Sequence, residues 1–553
     1  MEALDWLVIG VFFLALIGII VWVVRQKQND SADYFLGGRD ATWLAIGASI
    51  FASNIGSEHL IGLAGAGASS GMAMAHWEIQ GWMILILGWV FVPFYTRSMV
   101  YTMPEFLERR YNPQSRTILS VISLVSYVLT KVAVTVYAGG LVFQQVFGIK
   151  ELWGIDFFWI AAIGLVVLTA LYTIFGGMKS VLYTSVLQTP ILLLGSLIIL
   201  VLGFKELGGW DEMMRVCGAV TVNDYGDTMT NLIRSNDDAN FPWLGALIGS
   251  AIIGFWYWCT DQFIVQRVLS GKNEMEARRG TIFGAYLKLL PVFLFLIPGM
   301  IAFALHQKYI GAGGEGFLPM LENGTANADA AFPTLVAKLL PAGVKGLVVC
   351  GILAALMSSL ASLFNSSAML FTIDFYKRFR PQTSEKKLVG IGQVATVVIV
   401  ILGILWIPIM RSVGDVLYTY LQDVQSVLAP GIAAAFLLGI CWKRTSAQGG
   451  MWGLISGMVI GLTRLGAKVY YSNAGEVADS TFKYLFYDMN WLFFCGWMFL
   501  FCIIVVIVVS LATEAPTAEK IQGLVFGTAT KEQKASTRAS CCLLYTSDAA
   551  DEE

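Results

Sequence analysis

The stretch ASNIGSEH at residues 52–59 interrupts an apolar segment that runs from 43 to 68. A second interruption, GFWYWCTDQ at residues 254–262, lies five predicted spans later in the apolar segment 241–266. Paired interruptions in the two halves of a membrane chain are typical of transporters built from an inverted repeat, because unwound backbone offers carbonyl groups and helix ends to a solute. Two continuous helices that are weakened by glycine remain the alternative.

The composition of the chain is that of a membrane protein. Of its 553 residues, 57% are hydrophobic and 13% are charged, and the mean hydropathy is +0.69. A soluble domain has about 25% charged residues. The net charge of −2 gives no indication of nucleic-acid binding. The eight cysteines show no spacing typical of a disulfide framework or a metal site.

Apolar runs of about 20 residues, each long enough to cross roughly 30 Å of hydrocarbon, recur along the chain. We predict an all-α polytopic membrane protein with about 13 transmembrane helices. The first run is interpreted as a retained helix and not as a signal peptide. Basic residues fall at every second connection, which predicts that the N-terminus lies outside the membrane. The predicted spans are 5–24, 43–68, 79–101, 115–147, 155–176, 181–203, 241–266, 280–306, 341–374, 387–409, 416–440, 449–470 and 488–512.

Several polar or ionisable residues lie inside these apolar spans. Such a side chain costs several kcal/mol at membrane depth unless it faces a cavity or a partner, so each one indicates a functional site. For Glu78 and Lys288 a purely structural ion pair is the alternative. The sequence has no nucleophile–base set, phosphate-binding loop or metal cluster, so an enzyme has little support. The residues are Asn54, Glu58, His59, Glu78, Lys288 and Gln422.

Seven long motifs resemble the sodium/solute symporter family, and specifically its sodium/glucose cotransporter branch. Their number and order make the resemblance specific, and it covers about residues 1–512. The motifs are ASNIGSEHLIGLAGAGASSG (52–71), TMPEFLERRY (102–111), TIFGGMKSVLYTSVLQT (173–189), WYWCTDQFIVQRVLSGKN (256–273), YLKLLP (286–291), LMSSLASLFNSSAMLFTIDFYKR (356–378) and LAPGIAAAFLLGICWKR (428–444).

The resemblance implies a leucine-transporter-like fold with a five-helix inverted repeat and two broken helices. The repeats are predicted at 42–203 and 241–440, separated by an extracellular loop at 204–240. The flanking parts are an extra helix with the first cytoplasmic loop (1–41), extra C-terminal helices (441–512) and a polar cytoplasmic tail (513–541). Residues 542–553 resemble a translated sequencing adaptor, so we exclude them from the fold and expect the natural chain to continue differently.

The resemblance also implies a sugar site with an outer hydrophobic gate. A sugar presents hydroxyl groups and an apolar C–H face, so converging amides, charges and one aromatic ring match its chemistry. Tyr257 is implied as the stacking ring, and Trp258 as its support. The implied substrate-binding residues are Asn54, His59, Glu78, Tyr257, Lys288 and Gln422. The implied gate residues are Leu63, Trp77, Trp258 and Tyr418.

One sodium site is implied by the same resemblance. Its ligands are the backbone carbonyls of Ala52, Ile55 and Ala355 and the hydroxyls of Ser358 and Ser359. Many relatives have an acidic residue where this chain has Ser185, and relatives with a second sodium site have a hydroxyl where it has Ala361. We therefore expect one sodium ion per cycle. Gly254 replaces a polar residue that is common near the sugar, which leaves the cargo open.

The predicted function is sodium-coupled secondary active symport of a monosaccharide such as glucose or galactose by alternating access. Symport of myo-inositol or another polyol is the alternative, and a transporter-like solute sensor is a third possibility. The expected partners are the sugar or polyol, sodium and the lipid bilayer, with no nucleic acid. We expect a multi-pass protein of the plasma (inner) membrane.

Overall fold

The chain is helical almost throughout, because backbone polar groups in a lipid core must find their partners within the same segment. The computed structural model describes residues 1–541 apart from 27, 29, 57, 322–323, 414–416 and 474–477. For residues 129, 130, 145, 409–413, 417–423, 473 and 541 it describes the backbone alone. Within the described residues, nine helices are long and apolar enough to cross a membrane. The count of thirteen stays a prediction.

The N-terminal half contains the first broken helix. A short antiparallel hairpin, formed by strands Glu151–Leu152 and Ile155–Asp156, precedes the longest element. The helical segments are Ala3–Arg25, Ser31–Leu36, Gly37–Arg39, Trp43–Asn54, Glu58–Leu63, Ala64–Ser69, Gly71–Met74, Ala75–Ile79, Trp82–Ile86, Leu87–Phe91, Val92–Ser98, Met103–Arg110, Pro113–Ser126, Tyr127–Val132, Ala133–Phe147, Phe157–Leu207 and Trp210–Gly218.

The C-terminal half contains the second broken helix. Its segments up to residue 441 are Trp243–Phe255, Trp256–Thr260, Gln262–Leu269, Glu274–Leu287, Val292–Leu296, Ile297–Gly311, Ala328–Ala330, Ala331–Leu339, Val344–Met369, Leu370–Tyr376, Lys377–Phe379, Glu385–Val413 and Leu417–Cys441. The remaining helices are Ala447–Asn473, Thr481–Lys483, Tyr484–Asp488, Trp491–Ala512, Ala518–Ile521 and Lys531–Cys541.

Both predicted helix breaks are present. Trp43–Asn54 ends at Ile55, whose backbone is extended with φ −79° and ψ 107°. In the second half Asp261 is extended, with φ −75° and ψ 127°, between Trp256–Thr260 and Gln262–Leu269. The carboxylate of Asp261 accepts a hydrogen bond from the Phe263 backbone N–H, which caps the new helix. Continuous helices merely weakened by glycine are therefore the wrong interpretation.

The element Phe157–Leu207 consists of two helices joined at Gly177. This glycine has φ +52° and ψ −146°, a combination that is essentially restricted to glycine. A Cβ atom at this position would lie 2.4 Å from the Tyr34 carbonyl oxygen, so the site also has no room for a side chain. The two helices correspond to the predicted spans 155–176 and 181–203.

Burial distinguishes the central helices from the lipid-facing ones. In its most apolar window, Val344–Phe379 is 89% buried, whereas Ala3–Arg25 is 22% buried. Small residues let the central helices approach closely, since a Cβ on Gly351 would lie 3.3 Å from the Cα of Leu192. Val344–Phe379 thus packs at the centre of the protein and Ala3–Arg25 at its periphery.

The predicted polar tail at 513–541 packs against helix ends. The Phe526 backbone N–H donates to the Ile440 carbonyl at 2.9 Å. The Lys520 Nζ donates to the Glu108 carbonyl at 2.9 Å. The excluded residues 542–553 lie outside the described residues.

Candidate substrate and sodium site

Polar side chains from three elements meet beside the first helix break. Asn54 is the last residue of Trp43–Asn54, Glu78 lies in Ala75–Ile79, and Lys288 follows Glu274–Leu287. The Lys288 Nζ donates to Asn54 Oδ1 at 2.7 Å and lies 2.7 Å from Glu78 Oε2. The same Nζ is 3.0 Å from His59 Nε2. Lys288 is therefore the centre of one connected polar network.

The charges in this network are almost fully buried. Asn54, His59, Glu78 and Lys288 are each 4–7% exposed. Burial of an isolated ion costs several kcal/mol, and a close partner of opposite charge offsets much of that cost. His59 Nε2 also lies 3.3 Å from Glu78 Oε1, while its Nδ1 is buried without a hydrogen-bond partner among the described residues. One ring nitrogen of His59 thus remains open to a further partner.

Tyr257 extends this network from the second broken helix. Its hydroxyl accepts a hydrogen bond from Asn54 Nδ2 at 3.0 Å. The ring of Trp258 packs edge-on against Tyr257, with 4.9 Å between the ring centroids and an interplanar angle of 83°. Trp258 also lies beneath Lys288, whose Nζ is 5.5 Å from a Trp258 ring centroid. The two broken helices therefore meet in one polar cluster with an aromatic floor.

Five of the six predicted substrate residues belong to this cluster: Asn54, His59, Glu78, Tyr257 and Lys288. The sixth, Gln422, has a side chain that lies outside the described residues.

The cluster lines a small cavity with a volume of about 50 Å³. One water needs about 10–15 Å³ of such volume, so the cavity has room for a few waters. A larger solute therefore has to displace side chains, or to replace the hydrogen bonds that these side chains make with one another. The lining residues are Asn54, Glu58, His59, Leu63, Trp77, Glu78, Gln80, Ile253, Tyr257, Trp258, Lys288 and Gln425.

Three of the four predicted gate residues line the same cavity. These are Leu63, Trp77 and Trp258, while the side chain of Tyr418 lies outside the described residues. Trp77 stacks on Trp491, with 5.5 Å between the ring centroids and an interplanar angle of 11°. Since Trp491 begins a helix outside the predicted repeats, sequence reasoning did not find this contact.

The predicted sodium ligands lie where the first helix break meets the central helix Val344–Met369. The Ser359 hydroxyl donates to the Ser53 carbonyl at 2.7 Å and lies 3.4 Å from the carbonyl oxygen of Ile55. A Cβ on Gly56 would lie 2.8 Å from Ser359 Oγ, so glycine is needed for this approach. Ala52 and Ala355 are buried on the same two elements. The region combines unwound carbonyls with a hydroxyl, and oxygen ligands of this kind suit a hard cation.

Three hydroxyl groups beside this region, those of Ser185, Ser358 and Ser362, contact neutral oxygen atoms. Ser358 Oγ lies 3.3 Å from Ser185 Oγ. Ser185 in turn donates to the Val181 carbonyl at 2.6 Å. The Ser362 hydroxyl donates to the Ser358 carbonyl at 2.7 Å. Ala361, which is fully buried, adds no oxygen from its side chain.

A buried ion pair behind Tyr257 was missed by sequence reasoning. Lys131 Nζ lies 2.7 Å from Asp261 Oδ2 and 4.6 Å from the centroid of the Tyr257 ring. Tyr127 donates its hydroxyl to the same carboxylate. The rule that singled out Lys288, an ionisable residue inside an apolar span, applies equally to Lys131 and would have found it.

Comparison with known proteins identifies the family. A model of the sodium:solute symporter family matches residues 34–457, so this chain belongs to that family. It is 36% identical over 542 residues to the human sodium/myo-inositol cotransporter 2, covering 96% of this chain and 79% of the relative. It is 36% identical over 537 residues to the zebrafish (Danio rerio) sodium/glucose cotransporter 4, covering 94% and 80%.

A solved structure has the same fold. It is described as the substrate-bound outward-open state of a Na⁺-coupled sialic acid symporter, with a TM-score of 0.74 and 20% identity over 93% of this chain and 99% of that one. The predicted family and the leucine-transporter-like fold are confirmed. This chain is a multi-pass sodium-coupled symporter.

Proposed function

We propose that this symporter imports a neutral polyhydroxylated solute, a monosaccharide such as glucose or galactose, together with one sodium ion by alternating access. The observation that carries the proposal is the buried network around Lys288, which combines an ammonium, a carboxylate, an amide and an imidazole beside an aromatic ring. Sugar hydroxyls donate and accept hydrogen bonds, so they match such a mixed set better than a single ion would.

On binding, the hydroxyls of the substrate would replace contacts that the side chains of the network now make with one another. Lys288 donates to a sugar oxygen, Glu78 accepts from a hydroxyl, and the open nitrogen of His59 provides a further contact. The apolar C–H face of the ring packs on Tyr257. A substrate analogue without one hydroxyl leaves a buried protein group unpaired, so the site selects against it.

The geometry also suggests how sodium and substrate are coupled. Ala52 and Ile55, two proposed sodium ligands, flank Asn54, a proposed substrate ligand, at the same helix end. A sodium ion that orders these carbonyls also fixes Asn54, and by linkage the substrate strengthens sodium binding equally. Inward movement of one positive charge through about 100 mV contributes about 2.3 kcal/mol to uptake.

Two features favour one sodium ion per cycle. Ser185 supplies a hydroxyl instead of a carboxylate beside Ser358. Arg267 Nε donates at 3.2 Å to Ser53 Oγ, which itself lies 2.7 Å from Ser362 Oγ. A second sodium ion near Ser362 would therefore face a fixed guanidinium charge instead of an anion.

The proposed setting is the plasma (inner) membrane with the N-terminus outside. Basic connections on alternate sides of the membrane support this orientation. In it the tail 513–541 lies in the cytoplasm. A transport role is favoured over a signalling or enzymatic role because the network lies in a buried cavity between two broken helices.

The second candidate cargo is myo-inositol. It has specific support, because the human and mouse relatives at 36% and 37% identity are named sodium/myo-inositol cotransporter 2. A ring of six hydroxyls would use the same donors and acceptors. The structure of the network does not require the ring oxygen of a pyranose.

Uptake into proteoliposomes tests the proposal. Radiolabelled D-glucose, D-galactose and myo-inositol are each offered with and without an inward sodium gradient, and each is used as a competitor of the others. We expect sodium-driven accumulation of at least one of them. The reversal potential of the coupled current should correspond to one charge per solute. A slope of two charges would contradict the stoichiometry, and failure to accumulate any of the three would contradict the cargo.

A further inference from the structure

Gln80 is a polar residue in the wall of the cavity that takes no part in the hydrogen-bond network around Lys288. It follows the helix Ala75–Ile79 and lines the cavity beside Glu78. The residue is 5% exposed, and its Nε2 atom is buried without a hydrogen-bond partner among the described residues. Buried amide groups normally have partners, so an unpaired amide in the wall of a binding cavity indicates a missing ligand contact.

Gly254 provides the space that this amide occupies. A Cβ atom on Gly254 would lie 2.7 Å from Gln80 Oε1 and 3.2 Å from its Cδ. Gly254 lies inside the helix Trp243–Phe255 and has no positive φ, so its backbone does not require glycine. Glycine inside a helix is unfavourable relative to alanine. A side chain at this position would therefore have to displace the Gln80 amide, and it would also lie 3.3 Å from Met83 Cγ.

The backbone holds Gln80 in place. The Gly81 N–H donates to the Glu78 carbonyl at 3.0 Å, and the Met83 N–H donates to the Gln80 carbonyl at 2.8 Å. This turn lies against Lys288, whose Cγ would be 3.3 Å from a Cβ on Gly81. Gln80 is thus positioned by the same turn that positions Glu78, but it contributes a neutral donor.

We propose that Gln80 and Gly254 together form a specificity determinant, in which the Gln80 amide nitrogen donates a hydrogen bond to one hydroxyl of the substrate. This inference rests on the proposed function of the cavity and deepens it. A neutral amide can bind a hydroxyl at one ring position through a hydrogen bond, and it adds no charge to the site. The pair therefore contributes to the choice among substrates that differ at that position.

A series of monodeoxy analogues tests the contact. The full chain in proteoliposomes is offered whichever of D-glucose, D-galactose and myo-inositol it accumulates, and then the monodeoxy analogues of that compound. For Gln80→Met we expect the KM of the parent compound to rise about 5- to 150-fold, the equivalent of about 1–3 kcal/mol. The KM of one analogue should change less than about 2-fold, because that analogue lacks the contacted hydroxyl. The maximal rate should be retained, which also shows that the variant is folded.

Gly254→Ala tests the space. A Cβ at this position should displace the amide and raise the KM of the parent compound in the wild-type background. In a Gln80→Ala background the same change should raise the KM much less, because the amide is already absent and only the contact with Met83 Cγ at 3.3 Å remains. Gly164→Ala is the matched glycine control, since nothing lies within 4 Å of a Cβ there. Ser250→Ala is the second control, because Ser250 lines the neighbouring apolar cavity that Gln80 also borders and is not among the residues that line the substrate cavity.

Three results would overturn the inference. The first is an unchanged KM in Gln80→Met, and the second is an equal loss for the parent compound and every analogue. The third is an equal effect of Ser250→Ala, which would assign Gln80 to the neighbouring cavity. In all three cases the wild type still accumulates its substrate, so the proposed function survives. If the wild type accumulates none of the three parent compounds with sodium, both the proposed function and this inference fail.

Discussion

Replacement of Lys288 by methionine separates a structural ion pair from a substrate site. The Lys288 Nζ lies within 3.0 Å of Asn54, His59 and Glu78, and the side chains of Lys288 and Glu78 are each 5% exposed. Lys288→Met removes the ammonium but leaves the Glu78 carboxylate buried. Removal of one partner from a buried pair costs about 3–5 kcal/mol. We expect a clear fall in the midpoint of thermal unfolding of the detergent-solubilised protein.

The double variant Lys288→Met, Glu78→Gln removes both charges. A buried pair is often replaceable by neutral groups without a net loss of stability. The midpoint of thermal unfolding of the double variant should therefore return most of the way to the wild-type value. Sodium-driven uptake should not recover. Each hydrogen bond between a charged group and the substrate contributes about 1.5–3 kcal/mol, so loss of both lowers kcat/KM at least about 100-fold.

The control pair is Lys377 and Glu385, whose charged atoms lie 3.3 Å apart with side chains 35% and 44% exposed. An exposed pair contributes about 0–1 kcal/mol, so Lys377→Met should leave both unfolding and uptake nearly unchanged. Recovery of both stability and uptake in the double variant would show that the pair is only structural, and would refute its role in binding. Wild-type unfolding of Lys288→Met would refute the argument from buried charge.

The remaining predictions concern the two broken helices. Tyr257→Phe keeps the ring but leaves the Asn54 Nδ2 donor, now at 3.0 Å from the hydroxyl, unpaired; the KM of the substrate should rise by the equivalent of about 1–3 kcal/mol, and Tyr257→Ala should lose more. An equal loss in both variants would argue against stacking. Ser359→Ala should raise the half-saturating sodium concentration sharply. Ser359→Thr keeps the hydroxyl, so its half-saturating sodium concentration should be much closer to that of the wild type. Gly56→Ala introduces a Cβ 2.8 Å from Ser359 Oγ and should have the same direction of effect, whereas Gly466→Ala, with nothing within 4 Å, should leave sodium dependence unchanged.

The membrane fold could be predicted from local properties of the chain. Apolar runs, basic connections and the two polar interruptions depend on composition and spacing, and a lipid environment leaves few structures for such segments. Both breaks therefore lie at the predicted positions, near Ile55 and Asp261. The seven sequence motifs also indicated the family.

Contacts between distant segments were decided only by the tertiary structure. Lys131 and Asp261 are 130 positions apart, and no periodicity indicates that they form an ion pair behind Tyr257. The stacking of Trp77 on Trp491 likewise joins the first predicted repeat to a helix outside both predicted repeats.

Gly254 shows the difference most directly. In the sequence, Gly254 shows only that a polar side chain is absent, and the identity of the substrate stays undetermined. In the structure the missing Cβ creates the space for the Gln80 amide. Local sequence determines where a helix forms and breaks, because backbone hydrogen bonds and hydrophobic length act over short distances. Which side chain fills a given space depends on how the helices pack, and packing is a property of the whole chain.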